Sequence, residues 1–288
     1  MIVRTRFAPS PTGRLHLGHA LAAKVAHDLA GNPANGVFLL RHEDIDGPRV
    51  REEFYQGIEE DLKWLGLLWD GEPLRQTSRI AAYEEALERL RERGLVYPCF
   101  CTRREIQDEL ARMAAAPQGP EGPVYPGTCL KLTAGERQEK LDSGIPHAWR
   151  LDSKKAASFT GPLTFHDLRF GEIPVNPDLL GNVVLARKDI GTAYHLAVVV
   201  DDAFQEITHV TRGEDLLSST HVHRLLQTLL GLPEPVYLHH GLVRDENGTR
   251  LAKRNESQSI AALRASGMSR ERTIELIESA LPHHDLPC

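Results

Sequence analysis

The stretch Arg6-Phe7-Ala8-Pro9-Ser10-Pro11-Thr12-Gly13-Arg14-Leu15-His16-Leu17-Gly18-His19 decides how the first half of the chain folds. Before and into it, Ile2 to Phe7 reads as a short strand, and Pro9, Pro11 and Gly13 then force a turn. From Leu17 to Leu29 apolar residues recur at helical spacing, until Gly31-Asn32-Pro33 stops them. A strand that turns tightly into a helix is where open α/β sheets bind nucleotides. The helix start offers N–H groups and a partial positive charge to phosphate oxygens. His16 and His19, three residues apart, can face one ligand from the first turn. Gly18 lacks a Cβ, so an adenine ring could lie against the backbone there. The competing explanation is a proline-rich turn carrying two surface histidines.

Outward from this segment the alternation continues. Val37-Phe38-Leu39-Leu40 is a compact apolar run, expected of a strand buried on both faces. Amphipathic helices follow near Glu52 to Leu65 and Ile80 to Arg93, the second closed by Gly94. Residues 95 to 165 break the rhythm with Cys99, Cys101, a Pro/Gly-rich loop from Ala114 to Pro126, and Cys129. Alternation resumes around Leu179 to Val200, where His195-Leu196-Ala197-Val198-Val199-Val200 reads as another buried strand. A helix from about Ser219 to Leu230 ends at Gly231 and Pro233, and a last one runs from Arg270 to Leu281 after a cap at Ser269. Strand alternating with helix predicts an α/β fold: a doubly wound parallel sheet split by an insertion, with a short helical C-terminal part.

Composition narrows the function classes. In 288 residues, 34 Lys and Arg against 40 Asp and Glu leave a formal net charge of −6, and 41% of residues are hydrophobic. That supports a real core and excludes a wholly basic nucleic-acid coat; nucleic acid would have to meet a local positive patch. No apolar run approaches the length of a spanning helix, and the N-terminus lacks the apolar core of a signal peptide. Four cysteines are too few for a disulfide scaffold. A soluble cytoplasmic protein with no membrane contact is expected.

The loop and its H-x-G-H continuation resemble the opening of glutamyl-tRNA synthetases, class I enzymes with a Rossmann catalytic domain. The resemblance extends through Phe38-Leu39-Leu40-Arg41-His42-Glu43-Asp44-Ile45-Asp46, Thr192 to Asp202, Thr211-Arg212-Gly213-Glu214-Asp215-Leu216 and Arg250-Leu251-Ala252-Lys253-Arg254. Thirty-five residues follow Lys253, too few for an anticodon-binding domain, which resembles the short paralogues of that family, the glutamyl-Q tRNA(Asp) synthetases. Those paralogues activate glutamate with ATP and place it on the queuosine base of tRNA(Asp). Residues 1–94 and 169–235 would then form the two halves of the Rossmann domain. Residues 95–168 would form the insertion with the acceptor-binding region, and 236–288 the lysine loop and a helical stem fragment.

The resemblance also implies a set of site residues. Arg6 and Arg212 would pair with glutamate carboxylates, for which a guanidinium fork is suited. Glu43 would take the ammonium group, Tyr194 a hydrogen bond, and Ala8 and Ser10 would contribute from the loop. His16, Gly18, His19 and Lys253 would bind ATP, with His16, His19 and Lys253 acting catalytically and Mg²⁺ accompanying the nucleotide. Cys99, Cys101, Tyr125 and Cys129 match the paralogue's pattern for one structural Zn²⁺; taken alone, the cysteines could equally be small buried hydrophobes. In the lysine loop, Ala252 stands where the family has a hydroxyl and Arg250 where it has the first lysine, and Val198 replaces a residue that is often polar. The tRNA would meet Arg103, Arg104, Arg150, Lys154 and Lys155, and the chain would act as a monomer. Asp201-Asp202 reads as a cap or turn rather than a Mg²⁺ ligand, and His221, His223, His239, His240, His283 and His284 as packing or surface residues. Rival readings are a truncated tRNA-charging glutamyl-tRNA synthetase, another H-x-G-H nucleotidylyltransferase, and a catalytically inactive nucleotide-binding module.

Overall fold

The computed structural model describes residues 2–31, 36–45, 47–113, 118–120, 122–243 and 259–279. The chain opens with β1 (Arg4–Phe7), α1 (Leu17–Leu29), β2 (Val37–His42), α2 (Glu52–Leu65), β3 (Leu74–Arg75) and α3 (Ile80–Glu92). All three strands are parallel, in the order β1-β2-β3. Helix α2 stops where the sequence says it should: Gly66 takes the left-handed conformation at φ 76° and its N–H reaches the Leu62 and Lys63 carbonyls.

The middle of the chain carries β4 (Val96–Cys99), α4 (Arg103–Arg112), β5 (Gln118–Gly119), β6 (Gly122–Pro123), α5 (Ala134–Asp142), β7 (Ala148–Leu151) and α6 (Ser153–Thr160). Then come β8 (Thr164–Asp167), β9 (Gly171–Pro174), β10 (Val184–Ala186), α7 (Tyr194–Phe204), β11 (His209–Gly213), α8 (Leu217–Leu230), β12 (Val236–His240), α9 (Ile260–Ala265) and α10 (Arg270–Ser279). β4, β7 and β10 form their own antiparallel sheet, while β11, β12 and β8 run parallel with β9 folded back antiparallel on the edge. The β8–β9 hairpin thus straddles position 168, and its first strand joins the parallel sheet.

A backbone bond from Thr208 N to Arg4 O, 3.0 Å, brings the two parallel sheets together at β1 and β11. Strand alternation then shows helices covering both faces. On β1, Thr5 Oγ1 donates to Ala26 O of α1 and Phe7 joins the core around α1 and α2, whereas Arg6 between them points to Asp202 of α7. On β2, Phe38 and Leu40 enter the α1 side, and Arg41 meets α7. The sheet is doubly wound, as expected.

One element differs from expectation. His195 to Val200 is not a strand but part of α7, and its Leu196, Ala197, Val198 and Val199 are all buried. A helix that is apolar nearly all round gives a short run of β-branched residues that resembles a buried strand. The continuation through Asp201 and Asp202, both buried and paired, makes it a helix of 11 residues. Among the described residues no helix is long and apolar enough to cross a membrane.

Candidate active site

Two cavities meet at Ser10. The larger, 970 Å³, is lined by Ser10 and Glu43 at the ends of β1 and β2, by Gln76, and by Thr192, Ala193, Tyr194 and His195 at the start of α7. The smaller, 690 Å³, is lined by Ser10, Thr12, Gly13, Arg14, His16, His19 and residues of α2 and α9. Both open at the carboxyl ends of parallel strands, which is where an open α/β sheet binds ligands.

Around the smaller cavity, His16 is the extended N-cap residue of α1 and His19 its third residue, each side chain meeting the other's backbone. Their rings lie 3.8 Å apart, tilted by 30°. Among the described residues, a Cβ at Gly18 would touch nothing but the His16 ring, at an ordinary 3.5 Å, so their packing does not demand glycine here. Lys253, Arg250 and Ala252 lie outside the described residues, as do His283 and His284.

The larger cavity is backed by a charge cluster that the sequence did not reveal. Arg6 Nε and Nη2 donate to Asp202 at 2.8 and 3.3 Å, and Nη1 donates to Thr211 O at 3.2 Å. Arg41, fully buried, donates to the same Asp202 at 2.7 Å, to Gln205 at 3.1 Å and to Glu43 at 3.2 Å. Burial raises the Glu43 carboxyl, against the guanidinium groups of Arg41 and Arg6 that lower it. Asp202 behaves oppositely: burial works to raise it, but Arg6 and Arg41 hold it below the usual carboxylate range. The cap or turn expected at Asp201-Asp202 is corrected accordingly, since both sit inside α7, buried and hydrogen-bonded. Asp201 accepts from Arg79, Tyr83 and Gln76, and so fixes Gln76 in the cavity wall.

Of the residues expected around glutamate, Ser10, Glu43 and Tyr194 line this cavity, while Arg6, Ala8 and Arg212 do not. Arg212 stands directly behind Tyr194. Its Nη1 donates to Tyr194 Oη at 3.3 Å and to His223 Nδ1 at 3.1 Å, its Nε to His239 Nε2 at 3.2 Å, and its Nη2 to Thr220. His239 in turn meets Asp167 at 2.6 Å, and His223 meets His195 at 3.1 Å. Burial, reinforced by the Arg212 charge, pushes His195 down to about 4 and holds His223 well below the ordinary imidazole value. Burial also takes His239 to about 4 despite the Asp167 carboxylate. The expectation that His221, His223, His239 and His240 merely pack or face solvent is corrected for two of them: all four are buried, and His223 and His239 hold Arg212.

The three cysteines converge. Cys101 Sγ lies 3.3 Å from Cys129 Sγ, and Tyr125 Oη is 3.4 Å from Cys99 Sγ and 3.6 Å from Cys101 Sγ. All three sulfurs fall within 4.8 Å of one another. Zn–S bonds of about 2.3 Å imply tetrahedral edges of roughly 3.8 Å, so this donor set fits a zinc ion. The Cys129 thiol hydrogen bond, then Tyr125 and Arg150, pull the Cys99 thiol down against burial. Arg150 stacks 3.9 Å over the Tyr125 ring and donates to Asn182 O, and Lys155 donates to Gly94 O, so both are tied internally. Lys188 Nζ caps the Phe100 and Cys101 carbonyls, joining the cysteine turn to the cavity wall.

Comparison with known proteins agrees with this arrangement. The family model for tRNA synthetases class I (E and Q), catalytic domain, matches residues 2–280. The chain belongs to that family. It is 50% identical over 271 residues to the glutamyl-Q tRNA(Asp) synthetase of Rhodobacter capsulatus, covering 92% of this chain and 96% of that one. With the glutamyl-Q tRNA(Asp) synthetase of Nocardia farcinica it shares 45% identity, covering 96% and 84%. Among solved structures, a glutamate tRNA ligase from Elizabethkingia meningosepticum in complex with its amino acid superposes with a TM-score of 0.74 at 30% identity. That match covers 88% of this chain and 52% of the ligase. This class I synthetase is therefore a ligase with an α/β catalytic domain built on a parallel sheet.

Proposed function

We propose that this synthetase activates L-glutamate with ATP, without tRNA, and then transfers it to the queuosine base of tRNA(Asp). The observation that carries the reading is the pair of cavities sharing Ser10: one wall offers the paired histidines of α1, the other Glu43, Tyr194 and the start of α7. The 50% identity across nearly the whole length of a relative of that name supports the acceptor. In the first step a glutamate α-carboxylate oxygen attacks the α-phosphorus of Mg²⁺-bound ATP, and pyrophosphate leaves. His16 and His19 hold the triphosphate, Gly18 leaves room for the adenine, and Lys253 follows the departing charge. Glu43 meets the ammonium group, Tyr194 and Ser10 donate to the amino acid, Ala8 packs beside it, and Arg6 and Arg212 supply positive charge from behind. In the second step a hydroxyl of the queuosine cyclopentenediol attacks the mixed anhydride, loses its proton, and AMP leaves. No enzyme nucleophile is needed, so the work is positioning and charge stabilisation. The chain acts as a monomer in the cytoplasm.

Glutamate-dependent ATP–pyrophosphate exchange, with and without tRNA, tests the first step. Exchange without tRNA is expected; failure with glutamate but success with another acid would overturn the substrate, and failure with every amino acid would favour an inactive module. Acid-gel analysis then separates the acceptors, because labelling of queuosine-free tRNA would instead mean ordinary charging. For the zinc site, Cys99, Cys101, Tyr125 and Cys129 would close a tetrahedral shell, and the ion would brace the cysteine turn. Atomic emission is expected to find one zinc per chain, and a Cys101→Ser chain is expected to lose it on dialysis against a mild chelator. Equal zinc in both would rule this ligand set out.

A further inference from the structure

Arg212 has N–H donors and no acceptor, so every atom it meets must accept. That leaves His223 Nδ1 without a proton, and the His223 hydrogen sits on Nε2, because an imidazole lacking both protons is an anion with no place near neutral pH. Nε2 faces His195 Nδ1 at 3.1 Å, so that atom too must accept. The single ring hydrogen of His195 is therefore on its Nε2, on the other edge of the ring. His195 is among the residues lining the 970 Å³ cavity, with Tyr194 and Glu43, in the first turn of α7, the positive end of the helix. Tyr194 is set by the same hub: its oxygen accepts from Arg212, so its hydroxyl hydrogen points elsewhere.

We propose that His195 is a further substrate-binding residue, its Nε2–H locked as a donor by the Arg212–His223 relay and directed to a carboxylate or carbonyl oxygen of the amino acid. This rests on the glutamate reading above. Neither ring can reverse its polarity without breaking a bond to Arg212, so the donor is present before substrate arrives, which lowers the ordering cost of binding.

Calorimetric titration of the full chain with L-glutamate tests the contact. His195→Phe keeps a ring against Tyr194 and His223 but removes the donor, and is expected to weaken glutamate binding about 10- to 100-fold, the range for a hydrogen bond to a charged group. ATP binding should stay within about twofold of the parent. His195→Gln, whose amide nitrogen can stand near the lost Nε2, is expected to recover most of the affinity. Undiminished glutamate binding by a folded His195→Phe chain would overturn the contact. If the parent itself takes up no glutamate, it is the substrate reading that fails. The relay is then tested alone by ¹⁵N spectra of histidine-labelled protein, where His195 and His223 must both show a bare Nδ1; a protonated Nδ1 on His195 would refute it.

Discussion

Replacing Arg41 by methionine is expected to cost the fold about 3–5 kcal/mol, the range for removing one partner from a buried charge pair. Methionine fills most of the volume, so the loss would come from charge rather than from a cavity. Asp202 would keep Arg6 but lose its 2.7 Å donor, Gln205 would lose its own, and Glu43 would stay half-buried without the guanidinium that opposes its protonation. The consequence reaches function through Glu43. Burial already raises that carboxyl, and without Arg41 it would rise further, so the anion proposed to meet the substrate ammonium group would be partly neutralised. Urea unfolding followed by circular dichroism measures the cost. A loss under about 1 kcal/mol would mean that water reaches this cluster and screens it.

Arg41 also shows where sequence reasoning stops. The run Val37 to Leu40 announces a strand, but nothing in it says that the next residue must be a buried cation, because its partner Asp202 is 161 positions away. The β1 loop and α1 were legible for the opposite reason: prolines, glycine, helical period and stop signal are all local, and α1 spans Leu17–Leu29 as they require. The cysteine turn was legible only through the family resemblance, since its C-x-C spacing alone left buried hydrophobes open; the structure brings its sulfurs within 4.8 Å. His223 and His239 carried no signal, since their roles exist only once α8 and β12 pack around Arg212 of β11. α7 failed for a physical reason as well: burial on nearly every side erases the amphipathic period that identifies a helix.

The same hub sets the largest effect expected on activity. Arg212→Lys keeps one positive charge but not the planar fork, and an ammonium group cannot serve Tyr194, His223, His239 and Thr220 at once. His223 would then be free to carry its proton on Nδ1, His195 could lose its fixed donor, and the Tyr194 oxygen would lose its support. Since these groups are preorganised around the proposed glutamate site, kcat/KM for glutamate in pyrophosphate exchange is expected to fall at least about a hundredfold, or about 2.7 kcal/mol. The KM for ATP should change little, because the histidines of α1 belong to the other cavity. Thermal unfolding of the variant separates a damaged fold from a damaged site: a chain that melts near the parent yet activates glutamate poorly fits the hub. A folded Arg212→Lys chain that works within about threefold of the parent would show that charge alone suffices, and that the geometry of the fork does not matter.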